Sequence, residues 1–460
     1  MAVDPRLKAL SGTSRRDFFR WVTAASVAVG LDRAGLLNFL NDNGGTAMAD
    51  TLAASKVMRS FWLRAGTGGF ANFQLLWPHV EVAKAGNAAF AFPWAANQVA
   101  DAATDRPSVT HPGSPFAGMP KSKQVTAMMW SQNQTHTNVP TGDAAAGIST
   151  IAAMAAIQQA EPTLLPVIAV TPFNFGTAPG APAAATVADP DGLIDLFNSA
   201  ASRALLQSPE NAALHEAYYK AFLGLNAAAG RTSLLKSYGT GKVAANLLGQ
   251  NLAAKLRPTA ADLTALGVTA QTPGTISAIA KTFIIGLKAM QLGLTSMVYQ
   301  SVFRDDPHGL FAGGDTAPQN KAMQTKAAFD GMMKLAASMP SPTGNKTLGD
   351  EIMFVVDGDT PKQPTIRAGW PDGTPGNSNW IYVMSNGYLK TGWFGGVKAN
   401  ATAVGWDPQT GADVPGKTSA ACTQDAAAAV LYAVAKGDSR RVQDFARFNL
   451  SDKIVNPIQL

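Results

Sequence analysis

The sequence predicts an α/β fold built around a mostly parallel β-sheet. Short apolar runs rich in strand-forming residues alternate along the chain with segments of helical periodicity, and this alternation is typical of strand–helix–strand units. The 460 residues are 46% hydrophobic and 15% charged, which is enough apolar material for a large buried core. No run of 18 or more apolar residues follows the N-terminal region, so the sequence indicates no ordinary membrane span.

Strands and helices are predicted from apolar runs and from helical spacing respectively. The predicted strands are 57–66, 125–130, 164–170, 294–303, 351–357 and 379–384. The clearest helix is 275–293, where Ile276, Ile279 and Phe283 recur at three- and four-residue spacing and Thr275 is the predicted cap. Further helices are predicted at 319–337 and 420–435.

The chain is expected to form one α/β domain after an N-terminal address segment. Residues 1–49 are assigned to that segment and residues 50–460 to the domain. Residues 208–272 have a more helical pattern and are predicted to be an insertion. Ligands of parallel sheets collect beyond the carboxyl ends of strands. Three loops would therefore gather at one edge: 64–70, 304–316 and 357–362.

The N-terminal segment has the features of a twin-arginine export signal. Arg15 and Arg16 precede two phenylalanines, and a short stretch rich in alanine and valine follows. Small residues at Ala47 and Ala49 predict cleavage after Ala49. We expect a periplasmic or otherwise exported protein, which would contact the membrane only if this segment is retained as an anchor. The alternative interpretation is an amphipathic basic helix.

Charge and cysteine content exclude several functional classes. The net charge is +6; residues 1–49 hold six Arg or Lys and four Asp or Glu, a net +2, so +4 remains for the rest. That scattered charge does not form a nucleic-acid footprint. The single cysteine, Cys422, excludes an internal disulfide and a cysteine-rich zinc cage. A thiolate would be favoured at this predicted helix start, but without a partner histidine pattern we interpret Cys422 as a core or interface residue.

The stretch VFRDDPHGLFAGG at 302–314 concentrates the candidate metal ligands. His308 would supply an imidazole and Asp306 a carboxylate, ligand types that divalent cations prefer. Asp357 and Asp359, which follow another predicted strand, would complete such a site. The alternative is a turn, in which the aspartates satisfy loop amides and His308 forms local hydrogen bonds.

Other polar and aromatic residues are weaker candidates. Thr67, in a glycine-rich loop, would need a neighbouring base to act as a nucleophile, so we interpret it as part of a tight turn. His136 either touches a ligand or is a structural loop residue. Aromatic residues late in the chain would form either a carbohydrate or protein contact or part of the core: Trp370, Trp380, Trp393 and Phe394.

The signal, the order of elements and three motifs resemble a family of bacterial twin-arginine-exported proteins related to the alkaline phosphatase and sulfatase superfamily. In 278–311, a helix, a glycine and a strand precede Asp306 and His308, which match the family's Asp-Thr-His type motif. In 128–142, His136 and the Thr-Gly pair after it occupy the family's corresponding places. The resemblance implies an alkaline-phosphatase-like three-layer sandwich.

The chain also departs from the family pattern. In 327–362 only Thr360 and Pro361 remain of the family's Glu-Phe-Gly-Arg-Thr-Pro motif. No Asp-His dipeptide occurs anywhere, and no aspartate occurs between Asp50 and Asp101, where the superfamily's first strand ends in a loop that carries aspartates. At least two of the ligand positions that the resemblance implies are therefore empty.

Together the resemblance and its departures imply a non-catalytic, sulfatase-like or phosphatase-like pseudoenzyme. It would be a binding or structural subunit of an exported or membrane-attached complex, with a protein partner or a second copy and without a cofactor or nucleic acid. The alternative is a phosphate or sulfate ester hydrolase in which one divalent metal ion acts as a Lewis acid. Its rearranged ligands would come from Asp305, Asp306, His308, Asp357 and Asp359.

Overall fold

A computed structural model of the protein describes eleven parts of the chain. They are residues 57–65, 125–130, 143–145, 147–161, 163–197, 213, 250–302, 316–342, 346–358, 379–397 and 403–457. The chain divides by its contacts into a larger unit, residues 50–190 and 258–460, and a smaller one, residues 1–49 and 191–257. Most of the predicted insertion at 208–272 lies outside the described residues, so its helical character stays a prediction.

An eight-stranded mixed sheet is the centre of the larger unit. Its strands are β1 (Arg59–Ala65), β2 (Val125–Trp130), β5 (Val167–Val170), β6 (Ala184–Val187), β7 (Met297–Val302), β8 (Ile352–Gly358), β9 (Asn379–Met384) and β10 (Gly392–Phe394). Across the sheet the order is β10-β2-β9-β8-β1-β7-β5-β6. Every neighbouring pair is parallel except the two that include β9. The predicted α/β class with a mostly parallel sheet is confirmed.

The larger unit also contains two small antiparallel sheets, one between β2 and β5 in sequence and one after β10. The first pairs β3 (Asp143–Ala145) with β4 (Ile148–Ser149), and the second joins β11 (Gly396–Val397), β12 (Ala403–Trp406) and β13 (Asp413–Val414). Met129 of the central sheet accepts a hydrogen bond at its carbonyl from Trp406 Nε1 at 3.1 Å. This bond fastens the second small sheet to the central one.

The described helices are mostly short, with three long ones. They are α1 (Thr150–Gln158), α2 (Pro190–Leu196), α3 (Leu252–Leu256), α4 (Ala260–Ala265), α5 (Gly274–Gln291), α6 (Thr316–Ser338), α7 (Ser419–Val434) and α8 (Ser439–Gln443). The predicted cap at Thr275 is wrong, because α5 begins one residue earlier, after Pro273 at φ −53°, and has no side-chain cap. None of the helices in the described part has the length and apolar character needed to cross a membrane.

Helices cover both faces of the sheet. On one face the ring of Phe61 in β1 contacts that of Phe283 in α5, with centroids 5.4 Å apart, and Phe329 in α6 contacts Phe354 in β8 at 6.0 Å. Successive strand residues point to opposite faces, so Ser60 faces the other layer. There α1 and α7 pack against each other and α7 covers β2. Strands buried on both faces explain why their sequences read as continuous apolar runs.

A buried glutamine, Gln158, forms hydrogen bonds at the edge of the sheet where β1, β7 and β8 begin. Gln158 of α1 donates from Nε2 to Met58 O at 2.7 Å, to Ser60 Oγ at 3.0 Å and to Ser296 O at 3.2 Å. It thereby connects the segments that enter β1 and β7. Because each of these groups is buried, the hydrogen bonds offset the desolvation of the polar atoms.

A buried ionic cluster occupies the same edge, and we call its members the amino-edge cluster: Arg59, Glu161, Ser341, Glu351 and Lys436. Arg59 donates from Nη1 to Glu351 Oε2 at 2.9 Å, and its Nη2 lies 3.3 Å from Glu161 Oε2. Ser341 Oγ also donates to Glu351 Oε2, and Lys436 Nζ lies 4.0 Å from Glu351 Oε1. Burial lowers the pKa of Lys436, against the attraction of the two carboxylates.

Candidate functional site

Four adjacent parallel strands end together at the opposite edge of the sheet, which we call the carboxyl edge. They lie in the order β8-β1-β7-β5, and their last residues are Gly358, Ala65, Val302 and Val170. The chain leaves β7 toward β8 on one side, whereas it leaves β5 toward β6 on the other. Ligands of open α/β sheets bind where neighbouring strands diverge in this way, so the carboxyl edge is the candidate site.

Asp357 is the acidic residue that the sequence placed at the end of β8. It is 0% exposed, and its Oδ1 accepts a hydrogen bond from Trp62 Nε1 of β1 at 2.9 Å. Its register partner across the parallel pair is Arg64, which is 7% exposed. Register partners start on the same face about 5 Å apart, so a permanently charged guanidinium side chain starts beside this carboxylate.

An amide group and two indole rings lie near the end of β8. Asn379 at the start of β9 donates from Nδ2 to Gly358 O at 2.9 Å and accepts from Trp380 N at Oδ1 at 2.8 Å. The rings of Trp62 and Trp130 lie 6.4 Å apart. Large rings and a bridging amide hold the end of β8 in place from both sides.

The other predicted ligand, nucleophile and signal positions lie outside the described residues. They are Arg15, Arg16, Ala49, Thr67, His136, Asp305, Asp306, His308, Asp359 and Trp370. Within the described ranges, no three His, Cys, Asp or Glu side chains gather in a group that would hold a metal ion. The one candidate carboxylate within those ranges, Asp357, already accepts an indole N–H.

Cys422 and most of the late aromatic residues are core residues. Cys422 is buried, accepts the backbone N–H of Trp406 at 3.5 Å, and has its pKa raised by burial. Trp380 and Phe394 are buried, and the ring of the half-buried Trp393 lies 6.3 Å from that of Trp380. These three aromatic side chains therefore pack with the sheet, and the thiol is not placed for nucleophilic chemistry.

Two residues at the β5–β7 boundary of the carboxyl edge did not stand out from the sequence. Thr171, directly after β5, has φ of 83°, a left-handed value that a β-branched residue rarely adopts. Gln300 lies inside the otherwise largely apolar strand β7 and is 4% exposed. Thr171 Oγ1 and Gln300 Oε1 are buried and have no hydrogen-bond partner in the described part of the chain. A glutamine within a buried strand was the signal available in the sequence.

The segment after Thr171 is fixed by contacts with its neighbours. Phe173 stacks on Tyr299 of β7, with ring centroids 3.6 Å apart and planes 8° from parallel. Ser149 donates from Oγ to Phe175 O at 2.7 Å and from its backbone N to Thr177 O at 3.0 Å. The left-handed backbone at Thr171 is therefore held by the structure around it.

A concave region lies at the start of α7. It encloses about 340 Å³ and is lined by Ala420, Ala421, Gln424, Asp425, Arg447 and Asn449. Burial raises the pKa of Asp425, whereas Lys417, whose Nζ lies 3.3 Å from Asp425 Oδ2, lowers it. The ion pair with Lys417 partly neutralises the negative charge of Asp425 in this groove.

Comparisons of the chain with protein-family models, with curated proteins and with solved structures find no match. The resemblance to the alkaline phosphatase and sulfatase superfamily therefore depends on the sequence motifs alone. The structure itself establishes an α/β fold with a mixed, mostly parallel eight-stranded sheet.

Proposed function

We propose that the protein is an exported, non-catalytic subunit with an alkaline-phosphatase-like sandwich, and that it acts by binding a protein partner or a second copy. The main support is the environment of Asp357. Its carboxylate accepts a hydrogen bond from Trp62 Nε1 at 2.9 Å, and its register partner in β1 is Arg64. In the superfamily that the motifs resemble, metal ligands converge at this edge. A carboxylate that has a hydrogen-bond donor and a neighbouring permanent cation is compensated without a metal ion.

The layered architecture supports the same proposal. Seven of the eight central strands run parallel, and helices from both halves of the larger unit cover the two faces. A mostly parallel sheet covered on both faces is compatible with the sandwich that the resemblance implies. A binding subunit descended from an enzyme would keep such a scaffold and lose the catalytic ligands.

Metal analysis of the purified, dialysed full chain tests the proposal. We expect zinc, calcium, magnesium and manganese far below one ion per chain. Asp357→Asn is expected to leave metal content unchanged and to lower the free energy of unfolding by about 1.5–3 kcal/mol, because the indole loses a charged acceptor. Trp62→Phe is the matched variant, since it removes the same hydrogen bond from the donor side. A stoichiometric ion that disappears in either Asp357→Asn or His308→Ala would overturn the proposal.

A metal-dependent phosphate or sulfate ester hydrolase is the second candidate, and one feature of the sheet favours it. Strands β7 and β8 flank β1 and run parallel to it, so the segments after Val302 and Gly358 start at one edge, about 10 Å apart. Asp305, Asp306 and His308 belong to the first segment and Asp359 to the second. Hydrolysis of p-nitrophenyl phosphate or sulfate that requires added metal and is lost in His308→Ala would favour this candidate over the first.

Export is tested by the arginine pair. The double variant Arg15→Lys, Arg16→Lys is expected to keep the protein out of the periplasmic fraction, because twin-arginine export reads this pair. Fractionation followed by immunoblotting measures the distribution. N-terminal sequencing of the exported chain checks for cleavage after Ala49. An unchanged distribution in the double variant would contradict the assignment of this segment as a twin-arginine signal.

A further inference from the structure

The concave region at the start of α7, which we call the α7 groove, is large enough for a small organic molecule. It encloses about 340 Å³, a volume at the lower end of the range of small-molecule sites. Its lining comes from two parts of the chain, the first turns of α7 and the segment after α8: Ala420, Ala421, Gln424, Asp425, Arg447 and Asn449.

The spacing of residues in α7 explains why the groove is both open and polar. Ala421, Gln424 and Asp425 recur at three- and four-residue intervals, so they lie on one face of the helix. The small side chains of Ala420 and Ala421 leave space beside the first turn. One turn later, Gln424 and Asp425 supply an amide and a carboxyl group to the same lining.

Charges of both signs line the α7 groove. Asp425 is half-buried, and Lys417 Nζ lies 3.3 Å from its Oδ2. Its other oxygen, Oδ1, accepts no hydrogen bond from the described residues. Burial raises the pKa of Asp425, and the positive charge of the exposed Arg447 counteracts this increase. One carboxylate oxygen and one guanidinium group are therefore available to a single ligand.

Two polar groups of the groove are held in place by other residues. Lys417 donates from Nζ to Trp406 O at 2.7 Å, which fixes the cation that pairs with Asp425. Gln409 donates from Nε2 to Asn449 O at 2.8 Å and to Asn449 Oδ1 at 2.9 Å. Because Asn449 Oδ1 is engaged, its Nδ2 remains as a donor. Groups fixed in this way lose little conformational entropy when a ligand binds.

The combination of charges selects a class of ligand. A simple anion would meet Arg447 but also the carboxylate of Asp425, and a simple cation would meet Asp425 but also two basic residues. A molecule that carries an ammonium and a carboxylate group is complementary to both charges. A guanidinium group also binds a carboxylate through two parallel hydrogen bonds, which are stronger than those between neutral groups.

We propose that the α7 groove binds a free α-amino acid, whose carboxylate pairs with Arg447 and whose ammonium group donates to Asp425 Oδ1. Asn449 Nδ2 and the amide of Gln424 are its further polar contacts. The lining of the groove does not include Asp357. The inference is therefore separate from the metal question, and it goes beyond the proposed role as a subunit without depending on it.

Isothermal titration calorimetry of the full chain with L-alanine, L-serine, L-glutamine and L-leucine tests the proposal. We expect at least one of them to bind with a Kd below about 1 mM. Its N-acetyl form lacks the cation and its carboxamide lacks the anion, so each should bind at least about tenfold more weakly. The proposal is overturned if none of these amino acids binds at up to about 10 mM, or if the free and blocked forms bind equally.

Two variants separate the charges of the groove. Arg447→Gln should weaken binding at least about tenfold and leave the free amino acid no tighter than its carboxamide. Asp425→Asn should weaken it similarly and remove the difference from the N-acetyl form. Because Arg447 is exposed, its replacement does not threaten the fold, and an unchanged Kd in Arg447→Gln would contradict the proposal.

Three further variants test whether binding occurs in this groove. Ala421→Leu, at an exposed helix position, fills the space and should abolish binding while the thermal midpoint stays within about 2 °C of the wild type. Asp452→Asn and Lys453→Gln are the matched charge controls, since both residues are exposed and lie outside the lining. They should leave the Kd unchanged. Wild-type affinity in a folded Ala421→Leu variant would place the amino acid elsewhere and overturn the proposal.

Discussion

Replacement of Glu351 by alanine is expected to lower the free energy of unfolding by about 3–5 kcal/mol. Glu351 is the acceptor for Arg59, and the two side chains are only 2% and 4% exposed. Once the carboxylate is removed, the guanidinium keeps its charge, because arginine is not deprotonated in proteins. Arg59 would keep only its longer pair with the less buried Glu161, at 3.3 Å. A buried charge that loses its main partner is among the few single changes with an effect of this size.

The expected loss of stability is large also because Glu351 contacts residues from distant parts of the chain. Its carboxylate accepts from Arg59, which begins β1, and from Ser341, and lies near Lys436, which follows α7. Its backbone carbonyl also accepts the N–H of Arg59 at 2.8 Å. Loss of the side chain therefore weakens the amino edge where three segments meet.

Urea denaturation of the wild type and three variants measures this loss. Exposed Asp452→Ala is the control for removal of an acidic residue and should change stability by less than about 0.5 kcal/mol. The double variant Arg59→Met, Glu351→Met should be more stable than Glu351→Ala, since it removes the most buried cation together with its carboxylate. A loss below about 1 kcal/mol in Glu351→Ala would contradict the view that Arg59 depends on this carboxylate.

The elements that were predicted well are those that a continuous stretch of the sequence specifies by itself. The predicted strands 125–130 and 379–384 coincide with β2 and β9, because both are continuous apolar runs that are buried on both faces. The predicted start of α5 is wrong, because Pro273 and not Thr275 occupies the cap position before the first helical residue. Single-residue boundaries depend on backbone geometry that apolar spacing does not encode.

The site was predicted only in part, because its contacts join residues that are far apart in sequence. Asp357 was found at the end of a strand, but its donor, Trp62, lies 295 positions earlier. The amino-edge cluster was missed for the same reason, since Arg59 and Glu351 are 292 positions apart. The order of the sheet, in which β8 and β7 flank β1, decides these neighbours, and strand periodicity alone does not specify that order.

Gly331→Ala is expected to lower the free energy of unfolding by about 3 kcal/mol or more. A Cβ atom on Gly331, in the middle of α6, would lie 2.6 Å from Leu266 Cα and closer still to Ala265 O. These atoms belong to the backbone at the end of α4 and beyond it, so no side-chain rotation relieves the overlap. The helices α4 and α6 pack against each other here with no side chain between them.

Gly274→Ala separates this steric effect from helix propensity. Gly274 is the first residue of a helix, α5, and a Cβ built there meets no atom within 4 Å. Alanine is the better helix former by about 1 kcal/mol in a helix interior and by less at the first position, so Gly274→Ala should be neutral or slightly stabilising in the same urea titration. Helix α6 lies between β7 and β8 in the chain, and these two strands flank β1. A Gly331→Ala variant that kept full stability would show that α6 can shift. The close packing of α4 and α6 would then not fix the path of the chain between β7 and β8.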